Sequence, residues 1–232
     1  ISHKGDIDLV TEADLGAEHR IIATIRSHFP DHTVLSEEKG LLRGADHCRW
    51  IIDPLDGTTN FAHGLTTCCV SVAALDEEGP VVGVVWSPFT EELFSAVRGQ
   101  GAYLNGRRLA VSGIARTGDS LLVTGFPYNV KSIMGPVMER FRRCLEASQG
   151  IRRLGSAALD LCYVAAGRFE AFWEEGLHPW DVAAGHLLVA EAGGRVTDFD
   201  NRAFEPEMTS ILASNGRIHD EMMTLLDLKG NE

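Results

Sequence analysis

The first stretch with a clear pattern of apolar and polar residues is TEADLGAEHRIIATIRSHFP, residues 11–30. Its apolar residues recur with the period of an α-helix and fall on one face: Leu15, Ile22, Ile25 and Phe29. Thr11 stands where a side chain can cap the first turn, and Pro30 cannot continue a helix. The pattern predicts an amphipathic helix between these two residues, with the apolar face turned to the core.

Shorter apolar runs predict β-strands in the rest of the first half. These runs cover residues 50–52, 68–75, 81–86 and 92–97. The last two flank Ser87-Pro88 and are expected to pair in antiparallel fashion, and Asn105-Gly106 is typical of a hairpin turn. This part of the chain therefore has the pattern of an antiparallel α+β unit.

From Ser120 onward, strand and helix patterns alternate. LLVTGFP predicts a buried strand, a helix is expected over about residues 133–147, and GSAALDLCYVAAGR is helical by its period. FEAFW predicts a strand that ends at Glu174-Glu175, and DVAAGHLLVAEAGG predicts a helix closed by Gly193-Gly194. We place a boundary near residues 115–120, with an α+β half over residues 1–117 and an α/β half over residues 118–232.

The composition is that of a folded, soluble protein. Apolar residues make up 44% and charged residues 23% of the 232-residue chain. No apolar run approaches the length that spans a bilayer, which argues against a membrane protein. The five cysteines form no CxxC pair and are odd in number. Neither a disulfide framework nor a zinc ribbon is indicated, and we predict a cytoplasmic location.

The net charge limits which ligands can be expected. With 33 acidic and 21 basic residues, the formal charge is -12, so a nucleic acid is not expected as a partner. An acidic protein also repels a phosphate substrate, unless some of its carboxylates hold cations. Carboxylates suited to that task occur in one motif.

The motif is WIIDPLDGTTNFAHG, residues 50–64. Asp53 and Asp56 stand three residues apart, so both carboxylates and the Leu55 carbonyl can converge on one point. Such oxygen ligands suit Mg²⁺ or Mn²⁺, although a lone DPLD is more typical of an Asx turn with a helix cap at Asp56. Gly57 and a helix start at Thr58 would add N–H groups for an anion, which favours metal-assisted phosphate chemistry.

Two motifs together carry a resemblance to a known family. WIIDPLDGTTNFAHG resembles the signature of the inositol monophosphatases, and WDVAAGHLLVAEAGG resembles their second signature, with 115 residues between the two. The resemblance runs from Lys4 to about Arg217. It implies a layered αβαβα sandwich and a cytoplasmic, homodimeric, Li⁺-sensitive enzyme. Because family members usually carry another helix at the N-terminus, a segment is expected before Ile1.

The resemblance also implies a cluster of two or three Mg²⁺ ions, with Mn²⁺ as an alternative. Its ligands, matched by position, are Glu37 and the Leu55 carbonyl on the first metal, Asp53 shared between metals, and Asp56 and Asp181 on the second. Glu38 is the alternative to Glu37 by spacing alone, and the family pattern favours Glu37.

The catalytic residues follow from the same match. Asp14 and Thr58 resemble the pair that orients and deprotonates the attacking water, and Glu37 joins them in the catalytic set. Asp14 has a second explanation, because it stands three residues after Thr11 and can complete a capping box. Lys4 resembles a lysine at the entrance of the active site, with a surface lysine as the alternative.

The substrate contacts that the resemblance implies are Gly57, Thr58, Gly155, Ser156, Ala157, Glu174 and Asp181. Backbone N–H groups of the first two would hold phosphate, and Glu174 would accept hydrogen bonds from polyol hydroxyls. Ser156 has a helix cap as its alternative explanation. Trp180, His63 and His178 are expected to be structural.

These residues predict a Mg²⁺-dependent phosphomonoesterase that hydrolyses inositol monophosphate, or a related polyol phosphate, with a metal-activated water. Fructose 1,6-bisphosphate or another small phosphate ester is the alternative substrate within the family. A rival of another class is a non-catalytic, transcription-associated binding role, which some bacterial relatives have. The complete set of matched metal ligands favours catalysis over that role.

Overall fold

The structure is a computed structural model, and it describes residues 2–3 and 9–228. Lys4 lies outside the described residues, so its place at the active-site entrance stays a prediction. Within the described part of the chain, no helix combines the length and the apolar character that crossing a bilayer requires.

Most strands of the first half form one eight-stranded sheet. Two short strands, β1 (Ser2–His3) and β2 (Leu9–Val10), pair only with each other. The strands of the large sheet are β3 (Thr33–Ser36), β4 (Gly40–Leu42), β5 (Arg49–Asp56), β6 (Cys69–Asp76), β7 (Gly79–Ser87), β8 (Glu92–Val97), β9 (Gly101–Leu104) and β10 (Arg107–Arg108). Their order is β10-β9-β8-β7-β6-β5-β3-β4, and only β3 and β5 are parallel.

The second half contains a mixed five-stranded sheet. Its strands are β11 (Leu121–Thr124), β12 (Gly150–Arg152), β13 (Ala171–Glu175), β14 (Arg195–Thr197) and β15 (Ser210–Ser214), in the order β12-β11-β13-β15-β14. One core cluster takes residues from both sheets, among them Phe94 and Phe172. The two sheets thus pack through a shared core, and the division at residue 117 stays our proposal.

The helices complete a layered structure. They are α1 (Glu12–His28), α2 (Thr58–Ala62), α3 (Met134–Ala147), α4 (Ala157–Ala165), α5 (Pro179–Glu191) and α6 (His219–Leu226). α1 packs on one face of the first sheet, α4 and α5 lie between the sheets, and α3 and α6 pack beside the second sheet. This order of layers confirms the predicted αβαβα sandwich.

The two middle helices contact each other closely. A Cβ atom at Gly185 of α5 would lie 2.5 Å from the Leu161 Cδ1 atom of α4, so a larger residue would push the helices apart. The close contact brings the start of α4, at Ser156, and the start of α5, at His178, to the wall of one cavity.

The predicted apolar face of α1 is wrong at both ends. Leu15 is 52% exposed and Phe29 is 42% exposed. The buried residues of the helix are Asp14, Glu18, Ile22 and Ile25. Two carboxylates, which the hydrophobic pattern assigns to the surface, lie inside because polar partners meet them there.

The short strand predicted over residues 50–52 is also corrected, because β5 continues through both aspartates. Asp53 pairs with Ser71, whereas Asp56 pairs with Cys69, so β5 carries one extra residue opposite β6. Residues three apart in a regular strand point to opposite faces. The extra residue forms a β-bulge, which lets both carboxylates turn to the same cavity.

Several local predictions are confirmed. β7 and β8 pair across Ser87-Pro88 in antiparallel fashion. Asn105 and Gly106 have φ values of 49° and 76°, as a tight hairpin turn requires. Cys68 and Cys69 are buried, as expected for core residues.

Candidate active site

Carboxylates from three parts of the chain line one cavity of about 250 Å³. We call it the carboxylate cavity, and its acidic lining residues are Glu37, Asp53, Asp56 and Asp181. Glu37 follows β3, Asp53 and Asp56 lie in the second half of β5, and Asp181 lies in the first turn of α5. Glu38 is not among the described lining residues. The fold therefore brings together residues that are up to 144 positions apart in the sequence.

The carboxylates of this cavity repel one another. Burial raises the pKa of Asp53 well above its usual range, and Asp56, Glu37 and Asp181 raise it further. Burial also raises the pKa of Asp56, and its hydrogen bonds act against that shift. A bound cation would relieve this repulsion. Carboxylate and carbonyl oxygens are the ligands that hard divalent cations prefer, so the residues present fit such an ion.

Asp56 connects the two halves of the molecule. Its Oδ2 atom accepts a hydrogen bond of 2.6 Å from the Ser156 hydroxyl and one of 2.8 Å from the Ala158 N–H. The N-cap residue of α2 is Gly57, so a cap by Asp56 on that helix is wrong. Asp56 instead accepts an N–H at the start of α4. The Asx-type contact belongs to Asp53, whose Oδ1 accepts the Leu55 N–H at 2.9 Å.

Ser156 does not cap its own helix. It occupies the N-cap position of α4, but its side chain makes no capping bond there and donates to Asp56 instead. The serine thus holds the orientation of a carboxylate in the neighbouring cavity. The helix cap, the alternative explanation for Ser156, is therefore wrong, and its contact with the substrate stays a prediction.

Gly57 can be no other residue without strain. Its φ of 87° lies in the left-handed region, and a Cβ atom would come within 2.7 Å of the Thr67 carbonyl oxygen. The backbone turns here from β5 into α2. Gly57 and Thr58 both line the carboxylate cavity, with the start of α2 beside the acidic cluster.

Asp14 caps α1 and also contacts Thr58. Its Oδ2 atom accepts the Thr11 N–H at 2.8 Å and completes the capping box of α1. Its Oδ1 atom accepts the Thr58 hydroxyl at 3.1 Å, and that hydroxyl also lies 2.9 Å from the Leu55 carbonyl oxygen. One oxygen therefore fixes the carboxylate, and the other faces Thr58 at the cavity.

The loop that carries Glu37 is held from inside by Glu18. The Glu18 Oε1 atom accepts hydrogen bonds from the Ser36 hydroxyl and from the Lys39 N–H, the latter at 2.9 Å. These two donors flank Glu37 in the chain. The burial of Glu18 in α1 is explained by these bonds, because they fix the position of Glu37, a cavity residue.

The first turn of α5 is fixed by its own carboxylate. Asp181 Oδ2 accepts the His178 N–H at 2.7 Å, and the His178 ring stacks on Trp180 with 4.7 Å between ring centres. Both rings line the carboxylate cavity, and Trp180 also packs against the core. His63 is not among the described lining residues of either cavity.

A second cavity, of about 230 Å³, adjoins the first and shares Asp56, Gly57, Thr58 and Asp181 with it. We call it the Glu174 cavity. The predicted substrate residues Gly155, Ser156, Ala157 and Glu174 line it. Burial, followed by the charge of Asp181, raises the pKa of Glu174 well above its usual range, and Arg153 acts against the shift.

Gly125, Arg153 and Asp160 also line this cavity, and they were not among the predicted site residues. A Cβ atom at Gly125 would lie 2.0 Å from the Glu174 Oε2 atom, so this glycine makes room for the carboxylate. Asp160 is the acidic residue within the apolar run AALDLCYVAA, and that isolated charge was the available signal. Nothing comparable marks Gly125 in LLVTGFP.

The chain is similar over nearly its whole length to proteins of one family. The model of the inositol monophosphatase family matches residues 1–228. An inositol-1-monophosphatase of Synechocystis sp. is 48% identical over 221 residues, which cover 94% of this chain and 77% of that protein. The Nus factor SuhB of Pseudomonas aeruginosa is 45% identical over 232 residues, which cover 97% of this chain and 85% of that protein.

A solved structure agrees with the sequence relatives. The inositol monophosphatase from Anabaena (Nostoc) sp. has a TM-score of 0.90 and 45% sequence identity, over 94% of this chain and 86% of that one. The same layers and the same chain order are thus found with a closely related sequence. The chain belongs to the inositol monophosphatase family.

Proposed function

We propose that this phosphatase hydrolyses an inositol monophosphate, with myo-inositol 1-phosphate as the first choice, or a related polyol phosphate. The observation that carries the proposal is the meeting of four carboxylates with the Asp14 and Thr58 pair, next to the Glu174 cavity. Membership of an inositol phosphatase family supports the same reaction class.

The family is one of metal-dependent phosphatases. We assign two or three Mg²⁺ ions, or Mn²⁺ in their place, to the carboxylate cavity. The ligands in this assignment are Glu37, Asp53, the Leu55 carbonyl, Asp56 and Asp181. When bound, the ions supply positive charge for the phosphate and lower the pKa of the attacking water. The mutual repulsion of these carboxylates supports the assignment, because a cation offsets it.

Asp14 and Thr58 take the proton in this proposal. The Thr58 hydroxyl has one hydrogen and two acceptors, Asp14 Oδ1 and the Leu55 carbonyl. If that carbonyl serves as a metal ligand, the hydrogen turns to Asp14, and the hydroxyl oxygen can accept a hydrogen bond from water. The Thr11 N–H holds the other oxygen of Asp14 in place. Glu37 completes the catalytic set as a ligand in the same cavity.

In this proposal the phosphate binds to the backbone N–H groups of Gly57 and Thr58, because both residues line both cavities. The alcohol part of the substrate lies in the Glu174 cavity. Its contacts are Gly155, Ser156, Ala157, Glu174 and Asp181. The buried Glu174 carboxyl group offers oxygen acceptors for hydrogen bonds from substrate hydroxyl groups.

Two alternatives compete with this proposal. Fructose 1,6-bisphosphate also presents hydroxyls and a phosphate, so it fits the same chemistry. The second alternative is a non-catalytic role in transcription, and it is favoured by the relative named Nus factor SuhB at 45% identity. The carboxylates retained in this chain support catalysis over that role.

The homodimer is a further part of the proposal. Trp86 of β7 and Leu93 of β8 face each other in register and are 37% and 41% exposed, and Phe89 in the loop between them is 54% exposed. An apolar group of this kind is typical of an interface between subunits. The mass of the protein in light scattering tests this part. The cytoplasmic location stays a prediction.

The test of the function is phosphate release with Mg²⁺, with and without Li⁺. The substrates are inositol 1-phosphate, fructose 1,6-bisphosphate, 3′-phosphoadenosine 5′-phosphate and histidinol phosphate. Asp56→Asn is the matched variant. Asparagine keeps an oxygen for the bonds from Ser156 and Ala158, so we expect a folded protein that has lost its turnover.

Each outcome has a distinct meaning. Li⁺-sensitive turnover of inositol 1-phosphate that the variant lacks supports the proposal. Preference for another ester keeps the mechanism and replaces the substrate. Wild-type activity in Asp56→Asn contradicts the metal assignment. No activity on any ester, from folded protein in Mg²⁺, favours the non-catalytic role.

A further inference from the structure

A buried carboxylate without a partner lies in the wall of the Glu174 cavity. Asp160 is 1% exposed, and neither of its carboxylate oxygens has a hydrogen-bond partner among the described residues. It lies one turn beyond Ser156 on α4, with its N–H bonded to the Ser156 carbonyl at 2.9 Å. Burying a carboxyl group without hydrogen-bond partners destabilises the folded state, so stability does not explain the residue.

The charges around Asp160 indicate what it can bind. Burial raises the pKa of Asp160 well above its usual range, Glu174 and Asp56 add to the shift, and Arg153 acts against it. Arg153 lines the same cavity, and its guanidinium carbon lies 5.9 Å from the centre of the Phe126 ring. The cavity wall therefore combines two buried acids with one arginine.

We propose that Asp160 is a specificity-determining residue that accepts a hydrogen bond from a substrate hydroxyl remote from the phosphate. The inference rests on the proposed function and extends it. Glu174 and Asp160 line one cavity, so together they offer acceptors to two hydroxyls of a polyol. Asp56 lines both this cavity and the carboxylate cavity, so the two sites adjoin.

Neutral hydroxyls suit this wall better than a cationic ligand. Arg153 already supplies positive charge to both acids, as its effect on each pKa indicates. A hydroxyl donates a hydrogen bond to a carboxylate without adding charge. A phosphate ester that has no hydroxyl donates no hydrogen bond to either acid, and buried polar groups left unpaired in this way discriminate strongly against a substrate.

The test compares two substrates in three proteins. Wild type, Asp160→Asn and Asp160→Leu are assayed with Mg²⁺ on inositol 1-phosphate and on phenyl phosphate, which has no hydroxyl. We expect the ratio of kcat/KM for the two substrates to fall roughly 10- to 100-fold in Asp160→Leu, as for a substrate hydroxyl that loses its hydrogen-bond partner in a buried site. Asp160→Asn keeps an acceptor oxygen and should retain more of the ratio. We also expect the Tm of Asp160→Leu to equal or exceed that of wild type, because a buried carboxyl group without hydrogen-bond partners is removed.

The control is Asp119→Asn, an exposed aspartate outside both cavities, for which the ratio should not change. A lower Tm in Asp160→Leu together with equal losses on both substrates would overturn the inference, since that result marks a structural role. An unchanged ratio would also overturn it and would leave the proposed function standing. Wild type could instead turn over histidinol phosphate faster than inositol 1-phosphate, with this preference lost in Asp160→Leu. That result would show that Asp160 binds an ammonium group and not a hydroxyl, and it would reject the proposal. Absence of all turnover in wild type would reject the proposed function itself.

Discussion

Gly125→Ala is the substitution that most directly tests the placement of Glu174. The added Cβ atom would lie 2.0 Å from the Oε2 atom and 2.4 Å from the Oε1 atom of that side chain. Ordinary van der Waals contact begins at 3.4 Å, so the carboxylate has to retreat by about 1.4 Å. The atoms in conflict are the far end of a flexible side chain. The fold can therefore accept the methyl group, and the effect falls on the cavity.

The size of the effect follows from the hydrogen bonds that the moved carboxylate would lose. A bond between a hydroxyl and a charged carboxylate contributes about 1.5–3 kcal/mol. At 1.4 kcal/mol for each factor of ten, roughly 10- to 100-fold should be lost in kcat/KM for inositol 1-phosphate. Phenyl phosphate, without hydroxyls, should lose much less.

The assay is steady-state phosphate release from both esters, with thermal unfolding of the same samples. Gly113→Ala is the matched control, because a Cβ atom at Gly113 meets nothing within 4 Å. We expect wild-type kinetics from the control and a similar Tm from both variants. Wild-type kcat/KM for inositol 1-phosphate in Gly125→Ala would refute the placement of Glu174 in the substrate site. A large drop in Tm would show instead that the methyl group disturbs the backbone.

Two further predictions concern buried polar side chains. Burial lowers the pKa of His186 from 6.5 to about 4, so the unfolded chain takes up its proton first as the pH falls, and stability present above pH 6.5 is lost towards pH 4. Between pH 7 and pH 5, urea unfolding should show that the unfolding free energy falls by about 2 kcal/mol less in His186→Leu than in wild type. An equal fall in both proteins would contradict the lowered pKa of His186. Glu18→Ala should lower stability by about 2–3 kcal/mol and raise the Mg²⁺ concentration for half-maximal activity, since the bonds to Ser36 and Lys39 that hold the Glu37 loop are lost. Glu18→Gln keeps an acceptor oxygen and should lie near wild type, and equal metal dependence in all three proteins would exclude a role for Glu18 in that loop.

Local signals in the sequence were sufficient for most of the described helices and for about half of the described strands. Apolar period, caps and turn residues act between neighbours in the chain, so α1, α4, α5 and the Asn105-Gly106 hairpin could be predicted before the fold was known. The two long motifs were sufficient for the family, because their residues are matched one by one.

The errors lie where polar residues are buried by partners from distant parts of the chain. Asp14 and Glu18 occupy the inner face of α1 because Thr58 and Ser36 meet them there, and the hydrophobic pattern of the helix contains no sign of those partners. For the same reason the pattern placed Leu15 inside. The β-bulge in β5 likewise depends on pairing with β6, which only the sheet decides.

The sequence by itself determined many of the elements, the layered family fold and the acidic residues able to hold a cation, since each of these depends on neighbours in the chain or on a matched motif. Only the tertiary structure decided that Ser156 orients Asp56, that Gly125 makes room for Glu174 and that Asp160 faces the same cavity without a partner. These relations join residues that are 14 to 100 positions apart, and the packing of α4 and α5 between two sheets brings them close in space. Such contacts arise from the fold as a whole, and no local pattern encodes them.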